Sequence, residues 1–189
     1  SGMLGMTDLL LETQLDEARQ TLAGLEGLGI SMVEVTDQME REGVASFADA
    51  FAALPGDIRL IAADPVENVD ADGHVNTIQR GDHLHVRVRP EAPVQLLFTG
   101  HMDTVFAADH PFQGLKWLKP GVLNGPGTAD MKGGISVILA ALIALEASPL
   151  AARVGYDVMI NSDEETGSHA SARLICELAA GKTAALTYE

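Results

Sequence analysis

The chain has 189 residues, of which 12 are Lys or Arg and 27 are Asp or Glu, so its formal net charge at pH 7 is −15. With 47% apolar and 21% charged residues it can bury a hydrophobic core, which excludes a wholly disordered protein. The negative charge repels phosphate groups and argues against a nucleic-acid partner. One cysteine, Cys176, excludes a disulfide framework within the chain and a thiolate zinc cluster, and its apolar neighbours predict a buried, inert thiol.

The sequence predicts neither a membrane span nor a secretory signal. The most apolar run, residues 135–145, is about half as long as a bilayer requires. Acidic rather than basic residues occur early in the chain, which is untypical of a signal peptide. We therefore expect a cytoplasmic protein without a membrane partner.

Helical periodicity dominates the first part of the chain. Apolar residues recur at helical spacing over about 7–28, and further helices are predicted at about 32–42 and 47–54. After residue 56 the period changes to that of strands. We expect a helical N-terminal segment, about 1–56, followed by an α/β region at 57–189.

Short strands with a turn between them follow the helices. Asp72-Gly73 predicts a hairpin turn; the stretch 68–73 also resembles the first half of a calcium loop, but Gln79 stands where that loop needs a glutamate. Strict alternation after residue 82 predicts a strand with one wet face, which places His83 and His85 toward solvent. The predicted strands are 58–62, 75–79 and 84–89.

Beyond Pro93 the pattern is that of an α/β protein. Continuous apolar runs, typical of strands buried on both faces, alternate with helical patterns. We expect a mostly parallel twisted sheet flanked by helices, with the strand hairpin before it. The predicted strands are 94–98, 154–160 and 184–188, and the predicted helices are 131–146 and 168–180.

Polar segments interrupt this apolar framework at 100–104, 125–134 and 161–167. Two of them follow buried strands, and Glu189 ends the last strand, so they are expected at the sheet edge where α/β proteins bind ligands. Taken singly, each has an ordinary explanation: His101 as a hydrogen-bonding residue, Asp130 as a helix cap, and the acidic residues after 162 as partners of a helix dipole.

Taken together, these residues favour a metal centre. Adjacent carboxylates at a buried sheet edge raise each other's pKa unless a cation lies between them. One histidine with several carboxylates and no cysteine is the ligand set of a catalytic zinc site. Asp103, two residues after His101, is placed to accept the second ring N–H of that histidine.

Three motifs carry a resemblance to a known family. His-x-Asp at 101–103, Gly-x-x-Asp-Met-Lys-Gly-Gly at 127–134 and Asp-Glu-Glu-x-Gly-Ser at 163–168 resemble, in order and spacing, the co-catalytic dizinc aminoacylase/carboxypeptidase metallopeptidases. That family includes glutamate carboxypeptidases, acetylornithine deacetylases and succinyl-diaminopimelate desuccinylases. The resemblance covers roughly the whole chain but the N-terminal half of a typical member. It implies a zinc-exopeptidase-like catalytic domain that is truncated before the lid domain.

The resemblance implies two zinc ions per complete site, with cobalt or manganese as substitutes. It makes His101 a ligand of the first zinc, Asp130 the bridging carboxylate, Glu165 a ligand of the second zinc and Glu189 the ligand that completes the first. The family's remaining histidine ligand has no counterpart in the sequence. We expect the other histidines to take no part in metal binding: His74, His83, His85, His110 and His169.

The resemblance also implies catalytic roles. Glu164 is expected to be the general base that holds the bridging water, and Asp103 to orient the ring of the liganding histidine. A cis peptide bond is implied between Asp130 and Met131. Glycines 133 and 134 are expected to allow close backbone approach beneath the metals.

The implied activity is zinc-dependent hydrolysis of an amide bond in a small N-acyl amino acid or a C-terminal peptide substrate. Pro126 favours the carboxypeptidase branch over the deacetylases, in which arginine is common at that position. The polypeptide alone is expected to be inactive, and a homodimer of a full-length protein is left open. Two alternatives remain at this point: a truncated or split, metal-poor acidic α/β domain without catalysis, and an unrelated acidic α/β binding module.

Overall fold

The computed structural model describes residues 44–107 and 109–189. The helices predicted at 7–28 and 32–42 lie outside the described residues. The helices are α1 Val44–Phe51, α2 Gly133–Glu146 and α3 Ala172–Ala179. The strands are β1 Asp57–Ile61, β2 Val66–Val69, β3 Val75–Ile78, β4 His83–Val88, β5 Val94–His101, β6 Lys116–Lys119, β7 Val122–Asn124, β8 Val154–Asn161 and β9 Ala184–Thr187.

Five strands form one mixed sheet in the order β1-β4-β8-β5-β9. Strand β5 runs parallel to both β8 and β9, whereas β4 is antiparallel to both β1 and β8. His101 at the end of β5 lies opposite Asn161 at the end of β8. The predicted α/β fold is confirmed, and the parallel half of the sheet is the half whose strands end at the polar segments.

The main hydrophobic core lies between one face of the sheet and helices α1 and α2. Alternate residues of β4 and β8 point into it, because side chains along a strand alternate between the two faces. Phe98 of β5 packs edge-on against Tyr156 of β8, with ring centroids 6.2 Å apart. The fully buried side chains of this core include Phe51, Leu84, Ile135, Ile138, Leu142, Tyr156 and Ile160.

A smaller core lies on the opposite face of the sheet, beneath α3. Leu97 of β5 and Met159 of β8 contact Leu178 of α3, with Leu174 and Ile175 packed beside them. Helices therefore cover both faces of the parallel half of the sheet. This layering buries β8 and the later part of β5 on both sides, which explains their continuous apolar sequences, whereas β9 is mostly exposed.

Helix α2 is apolar on nearly every side. The segment Thr128–Glu146, which contains it, is by length and composition the one described helix that could cross a membrane. Its buried residues, Ile135 and Ile138 among them, pack on the sheet, as they do in the core helix of a globular protein. Packing on the sheet thus accounts for the apolar character of this segment. The segment is longer than the apolar run at 135–145 on which the sequence-based expectation rested.

Two small hairpins form separate two-stranded sheets. The turn predicted at Asp72-Gly73 is confirmed, since β2 and β3 pair antiparallel across it and Gly73 has a positive φ of 83°. A second hairpin, β6 paired with β7, was not predicted from the sequence. Its strands are mostly exposed and only four and three residues long, so no apolar alternation marks them.

The prediction that His83 and His85 face solvent is wrong. Both side chains lie on the face of the sheet that α3 covers. His83 is 1% exposed and His85 is 7% exposed. His85 Nε2 lies 2.6 Å from Oδ1 of Asp157 on the adjacent strand. The alternation that suggested a wet face arises instead from polar side chains with buried polar partners.

The prediction that Cys176 is buried is also wrong, because its side chain is exposed. Leu174 and Leu178 of α3 pack toward the sheet. Cys176 lies two residues from each of them, which places it on the other side of the helix. The apolar neighbours of Cys176 in the sequence therefore do not share its surface.

Candidate metal centre

His101 ends strand β5 and is the buried centre of the site, with 1% of its surface exposed. Its Nδ1 donates a hydrogen bond to the backbone carbonyl of Asp103 at 3.0 Å. Its Nε2 lies 3.0 Å from Oδ1 of Asp130 and 4.0 Å from Oε2 of Glu164. Because the carbonyl fixes the hydrogen on Nδ1, Nε2 is the ring atom directed at the surrounding carboxylates.

Asp103 ties the end of β5 to the segment that carries the adjacent glutamates. Its two carboxylate oxygens accept the backbone N–H groups of Glu164 at 3.2 Å and Glu165 at 3.0 Å. Its Oδ1 also lies 3.4 Å from Nδ1 of His101. Burial opposes ionisation of Asp103, but hydrogen bonds from His101 and these two N–H groups lower its pKa. The carboxylate thus holds the glutamate backbone, while the nearer contact with the imidazole comes from the Asp103 carbonyl.

Asp130 lies in an irregular turn, Thr128–Lys132, immediately before α2. The peptide bond between Asp130 and Met131 is cis, as the family resemblance implied. Gly127 enters the turn with a positive φ of 72°, a conformation that glycine adopts without steric cost. Buried Met131 anchors the turn beneath the sheet edge, and its sulfur lies 3.2 Å from the backbone N of His101. This anchoring leaves the Asp130 carboxylate beside the histidine ring.

The glutamate segment is a short turn, Glu164–Thr166, after β8. Asp163, which precedes it, is buried, and its Oδ2 accepts the N–H of Ala170 at 2.6 Å. Its Oδ1 accepts a hydrogen bond from the side chain of Asn161 at 3.2 Å. The buried side chain of Asp163 therefore holds the loop together through hydrogen bonds. The two glutamates that follow it point toward His101 and Asp130.

Glu189 reaches the site because β9 lies close to α2. A Cβ on Gly134 would lie 2.0 Å from the carbonyl oxygen of Tyr188, so only glycine permits this approach. The expectation that glycine allows close backbone packing at the start of α2 agrees with this geometry. The approach brings Glu189 to the end of the same sheet edge as His101.

The structure brings five candidate residues together in two overlapping groups. Ligand atoms of His101, Asp130 and Glu165 lie within 4.8 Å of one another, and so do those of His101, Glu164 and Glu189. The predicted convergence of these side chains at one sheet edge is therefore observed. The grouping differs from the one that the resemblance implied, because Glu189 lies with Glu164 rather than with Asp130.

The neighbouring carboxylates determine the charge of His101. Burial opposes its protonation, but hydrogen bonds to Asp103 and Asp130 outweigh that effect and raise the pKa of the imidazole to about 9. Without a metal the ring therefore carries a proton at neutral pH. A proton and a metal cation compensate the same negative charge, so the donor set fits a divalent ion.

The charge of Glu164 reflects crowding of carboxylates. Desolvation raises the pKa of its carboxyl above the ordinary value, and Glu189 and Glu165 raise it further against the opposing effect of His101. A carboxyl with a raised pKa beside metal ligands suits proton transfer. One histidine and several carboxylates, with open space beside them, is the donor set of catalytic rather than structural zinc.

Two cavities open beside these groups. One of about 180 Å³ is lined by His101, Glu164 and Glu189. The other, of about 290 Å³, is bounded by Asp130 and Glu165 and by the aromatic rings of Phe106 and Phe112, which pack edge to face. Small molecules thus have access to both groups of carboxylates.

A third group of potential ligands lies on the β2–β3 hairpin: Asp70, Asp72 and His74. All three are exposed, and Oδ1 of Asp70 accepts the backbone N–H groups of Asp72 and His74. These hydrogen bonds are those of an ordinary polar turn. That His74 takes no part in metal binding stays a prediction.

Comparisons with known proteins agree with the motifs. Residues 97–188 match the family model described as peptidase family M20/M25/M40. Carboxypeptidase G2 of Pseudomonas sp. (strain RS-16) is 34% identical over 113 residues, which are 58% of this chain and 26% of that protein. A probable succinyl-diaminopimelate desuccinylase of Staphylococcus epidermidis is 37% identical over 101 residues, 50% of this chain and 24% of that protein. The chain spans about a quarter of the length of these two relatives.

Solved structures show the same fold. Human carnosine dipeptidase 1 aligns with a TM-score of 0.59 at 18% identity, covering 99% of this chain and 41% of that one. The M20 family metallo-carboxypeptidase Sso-CP2 from Sulfolobus solfataricus aligns with a TM-score of 0.53 at 16% identity, covering 86% of this chain and 33% of that one. Residues 97–188 thus match the family model of peptidase family M20/M25/M40, and the chain shares its fold with these two solved structures, which confirms the resemblance drawn from the three motifs.

Proposed function

We propose that this chain provides the metal-binding part of a dizinc amidohydrolase that cleaves an amide bond in a small N-acyl amino acid or a C-terminal peptide. The observation that supports the proposal most strongly is the placement of His101, Asp130 and Glu165 within 4.8 Å of one another, with Glu164 and Glu189 alongside. Relatives named as a carboxypeptidase and as desuccinylases support amide hydrolysis. Both the deacylase and the carboxypeptidase substrate classes remain in the proposal.

His101, Asp130, Glu165 and Glu189 would hold the zinc ions. When bound, two zinc ions polarise an amide carbonyl and lower the pKa of a water between them. The hydrogen bond from Nδ1 of His101 to the Asp103 carbonyl leaves Nε2 free to ligate. The exposed carboxylate of Asp130 lies with His101 and Glu165, and we propose it as the carboxylate that both ions would share, the role that the resemblance implied.

Glu164 is proposed as the general base. Its carboxylate lines the smaller cavity and lies 4.0 Å from Nε2 of His101, and we propose that a water is held beside it. It would take a proton from that water and later pass it to the leaving amine. Asp103 fixes its backbone through the hydrogen bond to the Glu164 N–H, so base and ligand are held by one carboxylate.

We further propose that residues 1–189 alone are not a competent hydrolase. Nε2 is the ring nitrogen of His101 that faces both groups, and it can serve one ion. Of these two groups, the one that His101 does not serve would then hold its ion through carboxylates alone. Catalytic zinc usually has three protein ligands, so we expect that ion to be held weakly.

The test is a zinc titration of metal-stripped 1–189 that is monitored by isothermal calorimetry. Elemental analysis then gives the zinc content. Glu165→Ala is expected to lower zinc affinity, whereas Glu164→Ala is expected to leave zinc content nearly unchanged. Glu67→Ala, which removes an exposed carboxylate on β2, is the matched control and should behave as the unmodified protein. Loss of zinc from Glu164→Ala would instead make Glu164 a ligand.

The activity of the polypeptide is tested separately. Zinc-loaded 1–189 is assayed against a panel of N-acyl amino acids and dipeptides, and turnover far below ordinary enzyme values is expected. Turnover near about 10 per second would refute the claim that the chain alone is incompetent. Absence of any zinc binding would favour the second candidate, a metal-poor acidic domain.

A further inference from the structure

A buried histidine outside the proposed ligand set contacts the loop that carries Glu164 and Glu165. His83 begins β4 and precedes Ser162, where the loop begins, by 79 residues. It is 1% exposed. Its Nδ1 lies 3.3 Å from the backbone N of Ser162, and its Nε2 lies 3.4 Å from the carbonyl oxygen of Ala170. One ring therefore contacts both ends of the loop.

The two contacts fix the tautomer of His83. A backbone N–H can only donate, so Nδ1 accepts the hydrogen bond from Ser162. A backbone carbonyl can only accept, so Nε2 carries the hydrogen and donates to Ala170. The hydroxyl of Ser162 also lies 3.3 Å from Nδ1, but it donates to the carbonyl of Gly81, so the backbone N–H is the group that donates to Nδ1. Both ring nitrogens are thus hydrogen-bonded to the loop, an arrangement that we call the clamp.

We propose that His83 is a positioning residue that holds the Glu164–Glu165 segment in place for metal binding. This inference rests on the proposed zinc site. Asp103 holds the segment from the β5 side through two N–H groups, and His83 holds it from the β4 side two residues earlier, at Ser162. Fixing the backbone on both sides limits the positions that the two glutamate side chains can adopt.

Loss of the clamp is expected to weaken metal binding, because residues that orient metal ligands strongly affect metal affinity. Substituting such residues commonly weakens metal binding by about 10–100-fold. His83→Ala removes both contacts and is expected to weaken zinc binding to 1–189 within that range. His83→Asn keeps an acceptor at the position of Nδ1 and is expected to restore the contact with Ser162 and most of the affinity.

His85 supplies the matched control. It lies two residues further along β4, points to the same face and is also buried, but its ring contacts Asp157 rather than the loop. His85→Ala therefore tests the loss of a buried imidazole without the loss of the clamp. Its zinc affinity should stay close to that of the unmodified protein.

The experiment compares the unmodified chain with His83→Ala, His83→Asn and His85→Ala. Cobalt titration followed by visible absorption reports affinity and coordination, and zinc competition gives the zinc affinity. Weakening in His83→Ala, recovery in His83→Asn and no change in His85→Ala support the proposal. Equal affinities in His83→Ala and His85→Ala would overturn it.

A measurement without metal separates this inference from the proposed zinc site. Hydrogen exchange by NMR should show that the amides of Ser162, Glu164 and Glu165 lose protection in His83→Ala but keep it in His85→Ala. The ring ¹⁵N shifts of His83 should show a hydrogen on Nε2 alone. If the unmodified chain binds no cobalt or zinc, the proposed function fails and these exchange data decide the clamp, which unchanged protection in His83→Ala would refute.

Discussion

Binding of the first metal ion should release a proton from His101. In the metal-free protein the pKa of this imidazole is raised to about 9, although burial opposes the shift, because Asp103 and Asp130 accept hydrogen bonds from the ring. At pH 7 about 1% of such a group is deprotonated, against about three-quarters of an ordinary histidine. A ligating nitrogen must be free of its proton, so zinc competes with that proton.

The magnitude follows from the same pKa. Below pH 9 the zinc affinity should rise about tenfold for each pH unit, giving about 100-fold between pH 6.5 and pH 8.5. An unperturbed histidine would give a dependence that levels off above about pH 6.5. The stability of the metal-free fold depends on pH in the opposite direction. The raised pKa of His101 stabilises this fold fully below about pH 6.5, and the contribution is lost as the pH rises through about 9.

The assay is isothermal calorimetry of zinc binding in buffers with different ionisation enthalpies. At pH 7.5 the slope of the observed enthalpy should correspond to about one proton released per ion, against about a tenth of a proton for an ordinary histidine. His74→Ala, which alters the hairpin group, should leave the slope unchanged. A slope near zero, or an affinity that is constant from pH 7 to pH 8.5, would refute the assignment of His101 as the ligand.

Two further predictions concern the packing beside the site and the stability of the fold. Gly134→Ala should weaken zinc binding, because the new Cβ would lie 2.0 Å from the carbonyl oxygen of Tyr188 and displace the end of β9; unchanged affinity in calorimetry would contradict this. Gly133→Ala, whose Cβ would meet a single carbonyl at 2.9 Å, is the milder comparison. Lys182→Met should lower the free energy of unfolding by about 1–3 kcal/mol, because Lys182 bonds the buried carboxylate of Asp157; urea denaturation with an unchanged midpoint would show that this contact is not stabilising.

The sequence was sufficient to predict the features that depend on local pattern. Apolar runs marked β5 and β8, Asp72-Gly73 marked the hairpin, and the motifs around His101 and Asp130 marked the sheet edge. Each of these signals comes from a few consecutive residues. The side chains they identify converge because parallel strands end at one edge.

The sequence could not predict features that depend on partners distant in the chain. His85 is buried because Asp157, 72 residues later, supplies a hydrogen bond on the adjacent strand. His83 is buried because a loop that follows β8 closes over it. Alternation shows that two faces of a strand differ, but it does not show what covers the polar face. Cys176 illustrates the converse, since apolar neighbours in the sequence did not bury it.

The central claim is that the group around His101 is a metal centre. The most direct test is anomalous diffraction at the zinc edge from crystals of 1–189 grown with zinc. We predict a strong peak about 2.0–2.2 Å from Nε2 of His101 and from carboxylate oxygens of Asp130 or Glu189. A zinc peak on another histidine, such as His74, with none beside His101, would contradict the account.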